Sequence, residues 1–144
     1  MRLVIDSSVL VSAAKVDETL HKRSAELFQR IRERGDEVWA PMTLVWEVAS
    51  ALDHPGKTPP GTTFNSLLEV SLQFVPIDIG LFGRTWKSSL RVPIKGGDRV
   101  FLSCALDKGA VLISWDEALV KHAGAAGVRA ATPEDYLAGG IGPS

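Results

Sequence analysis

Short apolar segments alternate along this chain with longer segments of helical spacing, and this alternation restricts its fold more than any other feature. The segments with β-strand character are 3–5, 37–40, 74–77, 110–113 and 128–130. The first contains only Leu, Val and Ile, which is typical of a central parallel strand covered by helices on both faces. Strands separated by helices pair in parallel through right-handed crossovers. The sequence therefore predicts an α/β fold with a central parallel sheet of four to five strands flanked by helices.

The predicted helices occupy the intervals between these strands. A short first helix is expected to run through Ala14, and the following ones are expected over 18–34, 43–53, 64–73, 79–91, 98–108 and 117–123. Thr132 is expected to cap a final helix with Pro133 at its first position. Ser7 or Ser8 is expected to cap the first helix, and Gly35 is expected to end the second. Prolines and glycines predict loops at 53–63 and 93–97, and Pro76 favours an edge position for the third strand.

Length and composition are those of one ordinary globular domain. The chain has 144 residues, of which 45% are hydrophobic and 23% charged. We expect one domain over residues 1–138 and a flexible tail over 139–144. The net charge of −1 argues against a protein that coats DNA.

Cysteine content and hydropathy indicate the compartment. Cys104 is the only cysteine, so no intrachain disulfide can form, which fits a reducing compartment. The sequence shows no signal peptide and no apolar stretch near the ~20 residues of a membrane span. The expected location is the cytoplasm, without a membrane.

Four carboxylates are expected to meet at one edge of the predicted sheet. Asp6 follows the first strand and Asp116 the fourth, and open parallel sheets bind ligands beyond the carboxyl ends of their strands. Asp98 begins the apolar stripe of its helix, and Glu47 borders the apolar face of another. Carboxylates that lie close together repel one another, and Mg²⁺ or Mn²⁺ prefers such oxygen ligands. The pattern predicts a divalent metal site.

Each acid also has an ordinary structural interpretation. Asp116 could cap the helix that follows it, Asp98 could complement a helix dipole, and Glu47 could be a half-exposed helix residue. Asp6 is the hardest to explain in this way, because it directly ends an apolar strand. The metal interpretation depends on the four acids converging.

The same residues lie in segments that resemble a known family. VIDSSVLV, then Glu47 within LVWEVASAL, then GGDRVFLSCAL, then LISWDEALVKHA resemble the PIN-domain nucleases. They are most similar to the VapC toxins of bacterial and archaeal toxin–antitoxin pairs. The resemblance extends from residue 2 to residue 137. Each segment is weakly specific alone, whereas the order and spacing of the four acids are fairly specific.

The resemblance implies a metal-dependent endoribonuclease. Asp6 and Asp98 would then be the main ligands of Mg²⁺ or Mn²⁺, and Glu47 would complete the shell directly or through water. Asp116 would hold a second metal or orient the attacking water, and Ser114 would position Asp116. The reaction would leave a 5′-phosphate. The implied partners are an RNA substrate, an antitoxin that contacts residues 43–73, and a second copy of the chain.

A run of basic residues is expected to bind the phosphate backbone of RNA. Arg84, Lys87 and Arg91 share one helix face, and Lys95 and Arg99 flank the third acid. Arg99 is also a departure, since the family usually has a small residue there. The alternative is an ordinary solvated helix face.

Other function classes fit the sequence less well. One alternative is a PIN fold without catalysis that binds RNA or protein. A receiver-like signalling domain would need an acidic pair after the first strand, where Asp6 stands with two serines. Neither GxGxxG nor GxxxxGK[ST] is present, which argues against those nucleotide-binding sites.

Overall fold

Five strands form one parallel sheet, in which the first strand of the chain takes the central position. In the computed structural model the described residues are 1–16, 19–53, 56, 61, 65 and 70–141. The strands are β1 Arg2–Ile5, β2 Glu37–Pro41, β3 Leu72–Val75, β4 Val111–Ile113 and β5 Ala130–Ala131. Their order across the sheet is β3-β2-β1-β4-β5. The predicted α/β class, parallel sheet and edge position of the third strand are therefore confirmed.

Seven helices lie in the described part of the chain. They are α1 Ser7–Ala14, α2 His21–Arg34, α3 Leu44–Leu52, α4 Ile79–Ser89, α5 Gly96–Lys108, α6 Glu117–Ala125 and α7 Pro133–Leu137. Helix α1 packs against α2 and α3. Helix α5 packs against the strands β1, β2 and β4 and also against α4. No helix in the described ranges has the length and apolarity that a membrane crossing requires.

The core is built around the two adjacent central strands. Leu3, Val4 and Ile5 of β1 are almost fully buried, as is every residue of β4. Burial of such side chains contributes about 1.5–3 kcal/mol each to the free energy of unfolding. The register pairs Ile5 with Ile113, so the residues after both strands leave the sheet side by side.

Several helix and strand boundaries differ from the prediction. Helix α5 begins at Gly96, because the two glycines predicted as loop already have helical backbone after Lys95, which takes the N-cap position. Helix α1 begins at Ser7, so Asp6 rather than a serine takes its N-cap position. Residues 130–131, not 128–130, form β5, after a turn in which Gly127 has φ +85°.

The region before the third strand was predicted least well. The strand comprises Leu72–Val75 and not 74–77, so Pro76 lies just beyond it. The last two residues of the predicted helix 64–73 therefore belong to the sheet, where Leu72 pairs with Val38. Residues 64 and 66–69 of that helix lie outside the described residues, as do most residues of the predicted loop 53–63.

Candidate active site

The pairing of β1 with β4 brings Asp6 next to Ser114. The backbone N–H of Asp6 donates to the carbonyl of Ile113 at 2.9 Å, which continues the ladder by one residue. Asp6 is 6% exposed and Ser114 is fully buried. The carboxylate therefore lies at the carboxyl edge of the sheet, where the sequence predicted it.

Two hydroxyl groups hold the same oxygen of the Asp6 carboxylate. The Ser8 hydroxyl and the Ser114 hydroxyl each donate to Oδ2 of Asp6, both at 2.8 Å. No group in the described part of the chain donates a hydrogen bond to Oδ1. A buried carboxylate oxygen that accepts no hydrogen bond is costly to the fold, and a bound cation would offset this cost. One end of this side chain is thus fixed and the other is available to a ligand.

Asp116 is held differently, although it also follows a strand. Its Oδ1 accepts hydrogen bonds from the backbone N–H groups of Ala118 and Leu119, at 3.0 and 3.1 Å, so it caps α6. Its own backbone N–H donates to the Ser114 hydroxyl at 3.0 Å. Ser114 therefore connects Asp6 to Asp116, through a side chain on one side and a backbone on the other. Asp116 is exposed to solvent.

Glu47 and Asp98 approach the same edge from two different helices. Both are half-buried, Glu47 on α3 and Asp98 in the first turn of α5. A methyl group at Gly97 would stand 3.5 Å from Oε1 of Glu47, so the glutamate lies against the start of α5. The structure therefore brings Glu47 close to the helix turn that carries Asp98.

The pKa values of these two carboxyl groups report their surroundings. Burial raises the pKa of Glu47, and the negative charges of Asp6 and Asp98 raise it further, against the lowering effect of the Ser7 hydroxyl. Burial likewise raises the pKa of Asp98, with added repulsion from Asp6 and Asp116 and partial relief from Lys95. All four predicted acids thus belong to one electrostatic cluster centred on Asp6.

The chemistry of this cluster suits a hard divalent cation, although the side chains do not yet form a closed site. Carboxylate oxygens are the ligands that Mg²⁺ and Mn²⁺ prefer, and mutual repulsion favours a cation among them. Among the described residues, however, no three His, Cys, Asp or Glu side chains are grouped closely enough to hold a metal ion as they stand. Coordination would require the side chains of Glu47, Asp98 or Asp116 to turn towards Oδ1 of Asp6.

The five predicted basic residues have unequal surroundings. Lys87 lies over the ring of Trp86, with Nζ 5.8 Å from the centroid, and Arg91 and Lys95 are exposed. Arg84 forms an ion pair with Asp107, with 2.6 Å between Nε and Oδ1.

The Arg99 side chain forms hydrogen bonds to the backbone of the protein itself. Its guanidinium group donates to the carbonyl of Ser89 and, at 3.0 Å each, to those of Val92 and Ile94. Of the five, Lys87, Arg91 and Lys95 thus have the more available charges.

Sequence reasoning missed the contribution of Ser8. Its hydrogen bond to Asp6 spans only two residues, and the sequence predicted Ser8 only as a possible cap of the first helix. A signal was nevertheless present, since the acid is followed by two serines rather than by the apolar residues that continue the core. The bond could be recognised only once the side chain of Asp6 was located.

Comparison with known proteins supports the family resemblance. The sequence matches the family model of the PIN domain over residues 3–125. No curated protein sequence gives a significant match.

The fold is similar to solved structures of low sequence identity. VapBC2 from Rickettsia felis, bound to a DNA fragment from their promoter, has a TM-score of 0.66 and 12% identity, covering 92% of this chain and 98% of that one. VapBC-1 from nontypeable Haemophilus influenzae has a TM-score of 0.64 and 15% identity, with coverage of 93% and 99%. VapC20 from Mycobacterium tuberculosis, a sarcin-ricin loop cleaving toxin, has a TM-score of 0.62 and 12% identity, with coverage of 83% and 93%.

The family match covers most of the chain and includes all four acids, and the structural matches share its sheet and helices over nearly their full lengths. Both agree with the resemblance carried by the segments around the acids. The chain belongs to the PIN-domain family.

Proposed function

We propose that this protein is a metal-dependent endoribonuclease, and specifically the VapC-like toxin of a toxin–antitoxin pair. The observation that carries the proposal is the electrostatic cluster of four acids that includes buried Asp6, whose Oδ1 has no donor among the described residues. Such a cluster is costly to the fold without a cation, because burial and repulsion both disfavour its charged state. Groups of titratable residues whose pKa values are shifted by burial and by neighbouring charges are common at functional sites.

The toxin assignment is supported by the structural similarities. One of the similar structures is described as a toxin that cleaves the sarcin-ricin loop, and two others are VapBC assemblies. All of them are at most 15% identical to this chain, so they support its fold directly and its role by analogy.

The residues divide into ligands and orienting groups. Asp6 and Asp98 would be the main ligands, with Glu47 completing the shell directly or through water. Bound Mg²⁺ or Mn²⁺ would lower the pKa of a coordinated water and neutralise charge on the phosphate. Asp116, the exposed acid, would orient the attacking water or help to hold a second ion. In-line attack would then leave a 5′-phosphate on the product.

RNA would be held by the available basic side chains. Lys95 is adjacent to the site, because its charge already acts on Asp98. Lys87 and Arg91 lie on the exposed surface of the helix and turn that precede it. Arg84 and Arg99 remain candidates, although each must first leave the partners that it has in the structure. Lys and Arg contacts to phosphates would make binding weaken with salt.

Two protein partners are part of the proposal. An antitoxin would contact the region 43–73, where Trp46 is 68% exposed and Met42 is also exposed. Much of that region lies outside the described residues. A second copy of the chain would bind through α4, whose outer face carries Ile79, Phe82 and Trp86 exposed to solvent.

Cleavage of total cellular RNA tests the enzymatic proposal. Purified protein is incubated with Mg²⁺, with Mn²⁺ and with EDTA, beside the Asp98→Asn variant. Metal-dependent cleavage by the wild type that is lost in the variant would support the nuclease and its site together. Cleavage that persists in the variant would place the site elsewhere. RNA binding without cleavage under all metal conditions would instead favour a non-catalytic PIN-fold binding module.

A further inference from the structure

The hydrogen bonds of Asp6 are unusual for an aspartate at a helix N-cap. An aspartate at this position ordinarily accepts a hydrogen bond from the backbone N–H two or three residues later, worth about 1 kcal/mol. Asp116 makes such bonds at the start of α6, whereas the side chain of Asp6 makes none at the start of α1. The carboxylate of Asp6 therefore does not cap the backbone of its own helix and is bound there only by the side chain of Ser8.

Two hydroxyl groups account for this orientation. The Ser8 hydroxyl reaches back from the first turn of α1, and the Ser114 hydroxyl comes from beyond β4 on the neighbouring strand. Each carboxylate oxygen has about two acceptor sites, so two donors on Oδ2 satisfy that oxygen. Oδ1 then has no competing donor among the described residues and remains available to a cation.

We propose that Ser8 is a positioning residue of the metal site. Together with Ser114 it fixes Oδ2 of Asp6, so that Oδ1 is presented in a single orientation to a divalent cation. This inference rests on the proposed function, because it assumes that Asp6 is a metal ligand. Groups that orient a metal ligand typically change metal affinity by about 10–100-fold when they are removed.

The alternative is that Ser8 merely supports α1. Helix α1 contains a suitable comparison, because the Ser12 hydroxyl donates to the backbone carbonyl of Ser8 at 2.8 Å and contacts no acid. Ser12→Ala removes a hydroxyl from the same helix without touching Asp6. Loss of metal affinity in Ser8→Ala but not in Ser12→Ala would separate positioning from support.

Binding of Mn²⁺ to RNA-free protein is the measurement, by titration calorimetry and by the electron paramagnetic resonance of free Mn²⁺. Ser8→Ala is expected to weaken Mn²⁺ binding about tenfold, the lower end of the usual range because Ser114 remains. Ser8→Thr keeps the hydroxyl and is expected to bind within about twofold of the wild type. A cooperative thermal transition in EDTA, well above the temperature of the titration, checks that each variant is folded. Ser8→Cys, a weak donor of similar size, replaces Ser8→Ala if that variant does not fold.

The outcomes separate this proposal from the one on which it rests. Wild-type affinity in folded Ser8→Ala, or an equal loss in Ser8→Thr, would overturn the role of Ser8 and leave the nuclease proposal intact. Equal losses in Ser8→Ala and Ser12→Ala would assign the effect to helix support and overturn it too. A wild type that binds no Mn²⁺ would overturn both proposals.

Discussion

Asp6 and Asp116 occupy equivalent positions after two neighbouring strands, but their side chains make different hydrogen bonds. Each is the N-cap residue of a helix that follows a central strand. Oδ1 of Asp116 accepts the backbone hydrogen bonds that cap α6, and Asp116 is exposed. Asp6 is buried, and its carboxylate is held by hydroxyl groups that leave one oxygen free. Surroundings rather than position therefore distinguish the proposed metal ligand Asp6 from the exposed Asp116.

Removing one charge from the acid cluster should stabilise the metal-free protein. Asp98→Asn removes a carboxylate whose pKa is raised by burial and by the charges of Asp6 and Asp116. We expect the free energy of unfolding in EDTA to rise by about 1 kcal/mol, as often occurs when a functional site is neutralised. Urea denaturation at neutral pH measures it.

Asp107→Asn is the matched control, because it has the opposite electrostatic environment. The ion pair with Arg84 lowers the pKa of Asp107, so this substitution should leave stability unchanged or reduce it slightly. Stabilisation by both substitutions would indicate a general effect of net charge and contradict the repulsion in the cluster.

The stabilising effect of metal should increase with pH. Because the pKa values of Glu47 and Asp98 are raised in the folded chain, the folded state binds more protons than the unfolded state between the ordinary and raised values. In that window these two groups make the free energy of unfolding of metal-free protein fall as pH rises. Mn²⁺ requires the deprotonated groups, so the increase in Tm that it causes should be larger at about pH 7 than at about pH 5.

Thermal unfolding with and without Mn²⁺ at each pH measures this difference. The Asp98→Asn variant is the comparison, since it lacks one of the titrating groups and should show a smaller dependence on pH. A Tm increase of the same size at both pH values would mean that the ion binds away from the cluster.

Cys104 should not react with thiol reagents in the folded protein. Burial raises the pKa of its thiol to about 12, and the nearby Asp107 adds to the effect. Thiolate is the reactive form, so thiol reagents should label Cys104 only after unfolding. Labelling by a maleimide in buffer and in denaturant tests this, and rapid labelling in buffer would show that the helix opens locally.

At the residue scale the sequence predicted which acids gather but not how they are held. Strand ends and helical spacing are enough to place Asp6 and Glu47 at one edge. The bond between Ser114 and Asp6 joins positions 108 residues apart, and it depends on β1 pairing with β4. That pairing is not encoded in any local pattern, so the orientation of the carboxylate could not be foreseen.

One arginine side chain donates hydrogen bonds to the backbone of the turn that connects α4 to α5. Arg99 donates to the carbonyls of Ser89, Val92 and Ile94, which belong to the end of α4 and the turn that follows. The last carbonyls of a helix lack partners within it, and buried ones need donors from elsewhere. Arg99 therefore acts as a side-chain cap for this turn, in the position directly after the third acid.

Loss of this arginine should destabilise the fold. Arg99→Ala removes hydrogen bonds from three carbonyls, and we expect the free energy of unfolding to fall by about 1–3 kcal/mol. Arg99→Lys should recover only part of it, because an ammonium group lacks the planar fork of a guanidinium. Urea denaturation provides the values.

Arg84→Ala is the control for the loss of an arginine. Its ion pair with Asp107 involves an exposed guanidinium, so its removal should change the free energy of unfolding much less than the loss of Arg99 does. Equal losses in the Arg84 and Arg99 variants would argue against a special contribution from the carbonyl contacts.

Helix ends were predicted correctly where a residue type with a strong capping preference marks them. Gly35 ends α2 with φ +68°, and Thr132 begins α7 with a capping box completed by Asp135, as expected from their residue types. The start of α5 was wrong by two residues, because glycine is a poor helix former and the sequence alone gives it a loop. Packing of α5 against the sheet and α4 outweighs that preference.

At the scale of the whole molecule, α4 presents an apolar surface that the chain itself does not cover. The α4 stripe consists of Ile79, Phe82, Trp86 and Leu90, which are between 42% and 83% exposed. At 100° per residue they share one side of the helix, about 130° from the mean direction of Arg84, Lys87 and Arg91. Binding through the stripe would therefore leave Arg91 exposed for RNA, whereas Lys87 borders the stripe through its contact with the Trp86 ring.

A second copy of the chain is the proposed occupant of the α4 stripe. A two-fold dimer places the same patch of each subunit in contact, and an apolar stripe is complementary to itself. We expect the wild type to be a dimer by light scattering, and a Phe82→Glu/Trp86→Glu double variant to be a folded monomer, since buried acids would repel across the axis. Circular dichroism checks that the variant remains folded.

Val16→Glu tests whether any exposed apolar residue would have the same effect. Val16 is 81% exposed but lies outside the stripe, so this variant should remain dimeric. A dimeric double variant would place the interface elsewhere. A monomeric wild type would show that the stripe does not join two copies, and addition of the antitoxin would then show whether a different protein covers it.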